Sequence, residues 1–229
     1  MNAGIGCVTA LAALVVAGAA HAGSVSLGHG TMGDLRVPTV SLKASRYLST
    51  VRQQYDFSCG SAAVSTLLTH HYAHPVTEAQ VFEAMYVHGD REKIRREGFS
   101  LLDMKRYLDR LGFEANGFDV PLERLVEAGL PGIALINENG YNHFVVIKGV
   151  RDGRVLVGDP AGGTRAMTVE RFKTLWTNGI LFVVTNQTQR AQFNIDAHWA
   201  AVPRAPIGSG IDRSGLSGLV MPKLGPGDF

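Results

Sequence analysis

Three residues spread along the chain have the types that acyl-transfer chemistry uses: Cys59, His143 and Asp159. A cysteine nucleophile needs a base to take or hold its proton, and the base needs a group to orient it. Cys59 lies in Gln53-Gln54-Tyr55-Asp56-Phe57-Ser58-Cys59-Gly60-Ser61-Ala62-Ala63. An apolar run with helical spacing follows it, so it sits at or near a helix N-terminus. The partial positive charge there favours thiolate over thiol, and a lowered thiol pKa is the expectation. His143 opens one strand and Asp159 closes another, with the turn Arg151-Asp152-Gly153 between them. Strand entry and strand exit lie side by side in an antiparallel hairpin, so the spacing can put imidazole against carboxylate. Asp159 would then hold the ring and stabilise its cation. The substrate oxygen that gains negative charge also needs a donor. Gln53 or its neighbour Gln54 could supply it, together with the backbone N–H of Cys59.

Each residue has a plainer reading. A lone helical cysteine is usually a small buried hydrophobe, a histidine at a strand start can be a satisfied core residue, and Asp before Pro can be a turn former. Their joint arrangement favours the catalytic set. His70, His71 and His74 invite a metal reading, but no cysteine or carboxylate stands at ligand spacing, so a surface helix end is expected. No metal and no cofactor are expected. Trp176 and Phe172 are expected in the core.

The elements that must position these residues are legible around them. A helix runs from Ser58 or Cys59 to about His71. A second starts after Thr77, which forms a capping box with Gln80, while Val76 and Val81 can form a hydrophobic staple. A third starts at Ser100 with Asp103 in the capping-box position, sets Phe99 against Met104, and ends at Gly112. A short helical piece spans Leu122 to Ala128. The pattern then changes to strands over Gly132–Asn137, His143–Val150, Arg154–Asp159 and Ile180–Thr185, with Asp152-Gly153 as a hairpin turn. Helices first and an antiparallel sheet afterwards give an α+β domain.

Residues 1–22 are nearly all apolar from Ile5 to Ala20, and Ala20-His21-Ala22 fits a small-x-small cleavage site. The run is too short to span a bilayer. A signal peptide over 1–22 and a periplasmic mature protein are therefore expected. Cys7 would leave with that segment, which makes Cys59 the cysteine the mature chain keeps. Residues 23–49 read as an extended N-terminal arm, 50–188 as the folded domain, and 189–229 as a Gly/Pro-rich flexible tail. The formal net charge is +2 and the basic residues are dispersed. Arg91, Lys93, Arg95 and Arg96 interleave with Asp90, Glu92 and Glu97 as a solvated loop or helix face. Nucleic acid is not an expected partner. No phosphate-binding glycine loop is present, so ATP is not expected either.

Gln-x-x-x-x-x-Cys-Gly-x-Ala, then His-Phe-Val-Val, then Asp-Pro-Ala-x-Gly resemble the bacteriocin-processing cysteine peptidases, the double-glycine leader peptidases of the papain-like clan. Gly98-Phe99-Ser100-Leu101-Leu102-Asp103 resembles that family's segment between its two halves. The resemblance runs from about Arg52 to Val184. It implies a papain-like fold, N-terminal helices on a C-terminal antiparallel sheet. It also implies Cys59 as nucleophile, His143 as base, Asp159 as orienting acid and Gln53 as oxyanion donor. The implied reaction is peptide-bond hydrolysis after a Gly-Gly pair in a leader or linker of an exported protein. The best-known members are fused to a transporter and an ATPase. An export signal aligns this chain instead with stand-alone exported members, some of which accompany functional-amyloid secretion systems, so a secretion system is an implied partner. Ser58 stands where transporter-linked members commonly carry Asp, and Asp56 could carry out part of that capping role. Two other readings stay open: a non-hydrolytic module that binds leader peptides, and a cell-wall peptidase or acyltransferase of the same clan.

Overall fold

The computed structural model describes residues 23–27, 35–39 and 41–203. The expected signal peptide over 1–22 and the tail from 204 onward lie outside them. The chain divides into two compact units, the second beginning at Leu42. In the first, β1 (Gly23–Leu27) pairs antiparallel with β2 (Leu35–Thr39), Gly23 opposite Thr39 and Leu27 opposite Leu35. The segment expected to be an extended arm contains this antiparallel strand pair.

The second unit holds α1 (Leu42–Ser45), α2 (Cys59–His71), α3 (Glu78–His88), α4 (Arg91–Glu97) and α5 (Leu101–Arg110). It continues with β3 (Ala115–Asp119), α6 (Leu122–Ala128), β4 (Gly132–Glu138), β5 (Tyr141–Arg151), β6 (Arg154–Asp159), β7 (Gly163–Thr168), α7 (Val169–Leu175), β8 (Trp176–Val184) and α8 (Asp196–Ala200). Strands β3 to β8 form one sheet in the order β3-β8-β4-β5-β6-β7, antiparallel at each pairing. Both capping boxes form: Thr77 with Gln80 starts α3, and Ser100 with Asp103 starts α5. Gly112 follows α5 at φ 79°, the left-handed turn that the sequence predicts there. Asp152 and Gly153 both take positive φ, as the tight β5–β6 hairpin requires.

The sheet is covered on both faces. On one, α2, α3 and α5 bury Val64, Leu67, Leu68, Val81, Met104 and Leu108 against Ile133, Phe144, Val146 and Phe182. On the other, Leu122 and Leu125 of α6 and Phe172 and Leu175 of α7 pack on Ala134, Val145, Ile147, Val155 and Val157. A sheet buried on both sides explains why β5 reads as an unbroken apolar run. Phe172 is fully buried, as expected, whereas Trp176 is half-buried at the border of the core with its ring tilted against Phe172 at 5.8 Å.

Two boundaries differ from expectation. Residues 46–53 form a strap over the β6–β7 edge. Thr164 donates to Arg46 O at 2.7 Å, Thr50 and Thr164 share a hydroxyl bond at 2.8 Å, and Gln53 N donates to Pro160 O at 3.1 Å. Gly163, at φ 76°, is needed here: a Cβ would stand 2.7 Å from that of Arg46. The chain also stays packed beyond 188, so the flexible tail does not begin at 189. Gln192 and His71 exchange hydrogen bonds, Asn194 N donates to Lys148 O, and His198 is buried against the ring of His71.

Lys148 is fully buried on β5. Its ammonium donates to Ser49 O, Ser49 Oγ and Thr164 Oγ1, tying the strap to the sheet. Among the described residues no carboxylate pairs with it, and burial pushes its pKa down to about 7. Between that value and the free lysine value the unfolded chain holds a proton that the folded chain releases, so stability rises with pH across the window. Urea unfolding at pH 7 and pH 9 checks this. We expect the wild type to gain about 2 kcal/mol relative to Lys148→Met between those pH values. Parallel curves would show that the ammonium is not desolvated by the fold.

Candidate active site

The loop before α2 is set by its own short bonds. Ser58 Oγ donates to Tyr55 O and accepts from Tyr55 N, closing Tyr55–Ser58 into a turn. Ser58 is buried and is the residue before α2, but its side chain does not cap the helix. Asp56 is exposed and does not take over that role. Cys59 is the first helical residue, 8% exposed. Gly60 lets this first turn press on its neighbours, since a Cβ there would meet Phe99 Cβ and Met104 Cε at 2.9 Å.

His143 and Asp159 lie together, 5% and 4% exposed, with His143 Nε2 donating to Asp159 Oδ2 at 3.2 Å. The other ring nitrogen, Nδ1, is buried without a hydrogen-bond partner. Cys59 approaches from the side of the next residue, where the Phe144 amide reaches its sulfur. Cys59 is thus linked to this pair by the amide of the residue after His143 and by the charge of Asp159. The β5 strand starts at Tyr141, two residues ahead of the expected start, and the Tyr141 ring stacks on His143 at 5.6 Å.

Electrostatics divide the three. For Asp159, burial pushes the pKa up, but the bond and charge of His143 and the amides of Gly162 and Ala161 outweigh it and bring it down to about 2. A carboxylate at that value stays ionised wherever the enzyme could work. For Cys59 the balance runs the other way. Burial raises the thiol, the amides of Phe144, Gly60 and Cys59 lower it, the Asp159 charge raises it again, and the net shift is upward. The helix N-terminus acts as the sequence suggests, but burial is larger. Burial therefore works against a preformed thiolate at this position.

Gln53 is half-buried and Gln54 is exposed, which separates the two candidates. Gln53 Nε2 donates to Tyr55 O at 3.1 Å, while Oε1 is buried without a partner. As an oxyanion donor the amide would have to leave Tyr55. Of the histidines, His71 is not at the surface: it is fully buried, Nδ1 donates to Gln192 O, and burial pushes it down to about 3. His74 packs on Phe113. Among the described residues, the group close enough to ligate a metal is Glu138, His143 and Asp159. The guanidinium of Arg165 already lies between its two carboxylates, 2.7 Å from Glu138 Oε2 and 2.9 Å from Asp159 Oδ2.

A cleft of about 510 Å³ opens beside Cys59, walled by Phe57, Phe99, Leu135 and Phe144, with Tyr141, Asn142 and the Arg95–Gly98 segment at its border. Tyr141 Oη donates to Asp56 O at 2.7 Å, joining the pre-helix loop to β5. Tyr141, Glu138 and Arg165 have no signal in the sequence that marks them for the site. Arg95 and Arg96 were expected on a solvated face, and they are, but the same helix, α4, edges the cleft.

The Peptidase C39 family model matches residues 48–188. The chain belongs to the peptidase C39 family. It is 40% identical over 147 residues to the probable functional amyloid protease FapD of Pseudomonas aeruginosa, covering 64% of this chain and 65% of that protein. The FapD of Pseudomonas fluorescens is 35% identical over 175 residues, 76% of this chain and 77% of its own length. The peptidase domain of the Streptococcus ABC transporter ComA superposes with a TM-score of 0.50 at 21% identity, over 60% of this chain and 98% of that domain. That likeness establishes the fold: the expected α+β, papain-like architecture of a cysteine peptidase family.

The resting state of the thiol is open to direct measurement. We expect the iodoacetamide reactivity of Cys59, mapped by mass, to rise with pH through a midpoint above that of a free thiol, about 8.5. A midpoint well below that value would show a preformed thiolate and overturn the burial argument.

Proposed function

We propose that this protein is a cysteine endopeptidase that hydrolyses the bond after a Gly-Gly pair in a leader or linker of an exported polypeptide. The observation that carries the reading is the site itself. A helix-initial cysteine faces an apolar cleft beside a buried imidazole, whose far nitrogen is held by an ionised carboxylate.

The mechanism follows from those positions. As Cys59 Sγ attacks the scissile carbonyl carbon, His143 Nδ1, the nitrogen left without a partner, accepts the thiol proton. The carbonyl oxygen gains the negative charge, and the Cys59 N–H with the Gln53 amide supplies donors for it. Carbon–nitrogen cleavage follows, and His143 returns the proton to the leaving amine. Water, deprotonated by the same imidazole, then attacks the thioester and frees the carboxylate and the thiol. Asp159 fixes the ring and stabilises its cation in both halves.

The specificity rests on the family resemblance, which implies a narrow channel that excludes larger side chains at the scissile bond. The apolar walls of Phe57, Phe99, Leu135 and Phe144 suit apolar side chains further along the substrate. Export rests on the 1–22 segment, and a role beside a functional-amyloid or other secretion system rests on the named function of the FapD relatives.

Cleavage of internally quenched peptides tests the reading. We expect turnover of a Gly-Gly peptide with the new N-terminus immediately after the second glycine. Cys59→Ala should lower turnover by about 10³-fold or more. Alanine in place of the second substrate glycine should lower kcat/KM by about tenfold or more. Cleavage of murein peptides instead, or binding of the Gly-Gly peptide without turnover, would overturn it.

A further inference from the structure

Strands β4, β5, β6 and β7 are successive neighbours in the sheet, and each contributes one side chain to a single line of polar contacts: Glu138, His143, Asp159 and Arg165. Asp159 Oδ1 is filled by the amides of Ala161 and Gly162, at 2.8 and 3.1 Å. That leaves Oδ2 for the imidazole, and the imidazole does not have it alone. Arg165 Nη2 lies 2.9 Å from Oδ2, nearer than His143 Nε2 at 3.2 Å. Glu138 holds the other side of the guanidinium with a two-point grip, Oε1 to Nη1 at 3.1 Å and Oε2 to Nη2 at 2.7 Å.

We propose that Arg165, held by Glu138, is a positioning residue that shares Asp159 Oδ2 with His143 and sets the pH range over which the Cys59–His143 pair works. The proposal rests on the reading of Cys59, His143 and Asp159 as the catalytic set. An Arg–carboxylate fork fixes direction as well as charge. Here it fixes the carboxylate that aims the ring. A latch serving stability alone could have used Glu138 without touching the oxygen that the imidazole needs.

The charge has a second effect. The reactive form of the pair holds one proton, whether on sulfur or on nitrogen, and its two titration steps belong to the pair as a whole. The groups around the ring are Tyr141 from its own strand, Glu138 from β4, and Asp159 from β6 with Arg165 behind it, while Cys59 of α2 is reached by the amide of the next residue, Phe144. The two carboxylates favour an added proton on the pair, and the guanidinium opposes it. Removing Arg165 should move the steps to higher pH. Removing the Glu138 charge should move them to lower pH.

The test is the pH dependence of Cys59 alkylation by iodoacetamide in the full protein, which needs no substrate. We expect Arg165→Gln to raise the midpoint by about half a unit or more, and Glu138→Gln to lower it by a similar amount. Arg165→Lys keeps the charge but not the fork, so its midpoint should match the wild type while peptide turnover falls. If Arg165→Gln does not fold, Glu138→Gln decides alone. Unmoved midpoints, or shifts in the same direction, would overturn the proposal. Opposite shifts in a protein that fails to cleave Gly-Gly peptides would uphold the proposal and remove only the substrate assignment.

Discussion

The site depends on keeping one carboxylate charged where water barely reaches. Asp159 is 4% exposed, and an isolated anion in that position would take up a proton instead of staying ionised. Four donors prevent this: the His143 ring, the Arg165 guanidinium, and the amides of Ala161 and Gly162. Each donor commits a stretch of chain. The amides require the tight turn from Asp159 to Gly163, and Arg165 requires β7 to be paired beside β6. The turn in turn takes the strap, through Gln53 N on Pro160 O and Arg46 O on Thr164 N. The charge on one side chain thus organises the sheet edge, the strap and the orientation of the base.

Cys59 is the other side of this economy. The same burial that sharpens the His143–Asp159 pair raises the thiol, and the helix-terminal and Phe144 amides do not fully offset it. The amides remain in place for charge that develops during reaction, where preorganised donors act most strongly.

Much of this was legible in the sequence where local chemistry and tertiary structure agree. The Thr77–Gln80 and Ser100–Asp103 boxes start helices because their side chains satisfy the free N–H groups of a first turn, and the Asp152-Gly153 pair turns the hairpin because it accepts positive φ. The His143–Asp159 pairing followed from that hairpin. Other features have no local cause. Strand β7, Gly163-Thr-Arg-Ala-Met-Thr, begins on the second residue of a Gly-Gly pair and has no strand pattern of its own; it is a strand because β6 pairs with it and the strap covers its free edge. Strand β3, Ala115-Asn-Gly-Phe-Asp, has weak strand propensity and is held by its pairing with β8 and by Lys105 of α5, which donates to Ala115 O. Lys148 interrupts an apolar run with a charge held by the distant Ser49, Thr50 and Thr164. Arg165 belongs to the site through contacts with residues 6 and 27 positions away, and no short motif encodes them. The sequence also suggested a lowered thiol pKa, because the helix terminus is visible in it and the depth of burial is not.

The measurement that most directly tests the account is a rapid acid quench of the protein during turnover of a Gly-Gly peptide, followed by mass mapping. If Cys59 attacks the carbonyl while His143 carries the proton, the quenched protein should carry the N-terminal peptide fragment as a thioester on Cys59, and the adduct should vanish in His143→Ala. Turnover without an adduct, or an adduct on any other residue, would contradict the covalent mechanism on which the reading of this site rests.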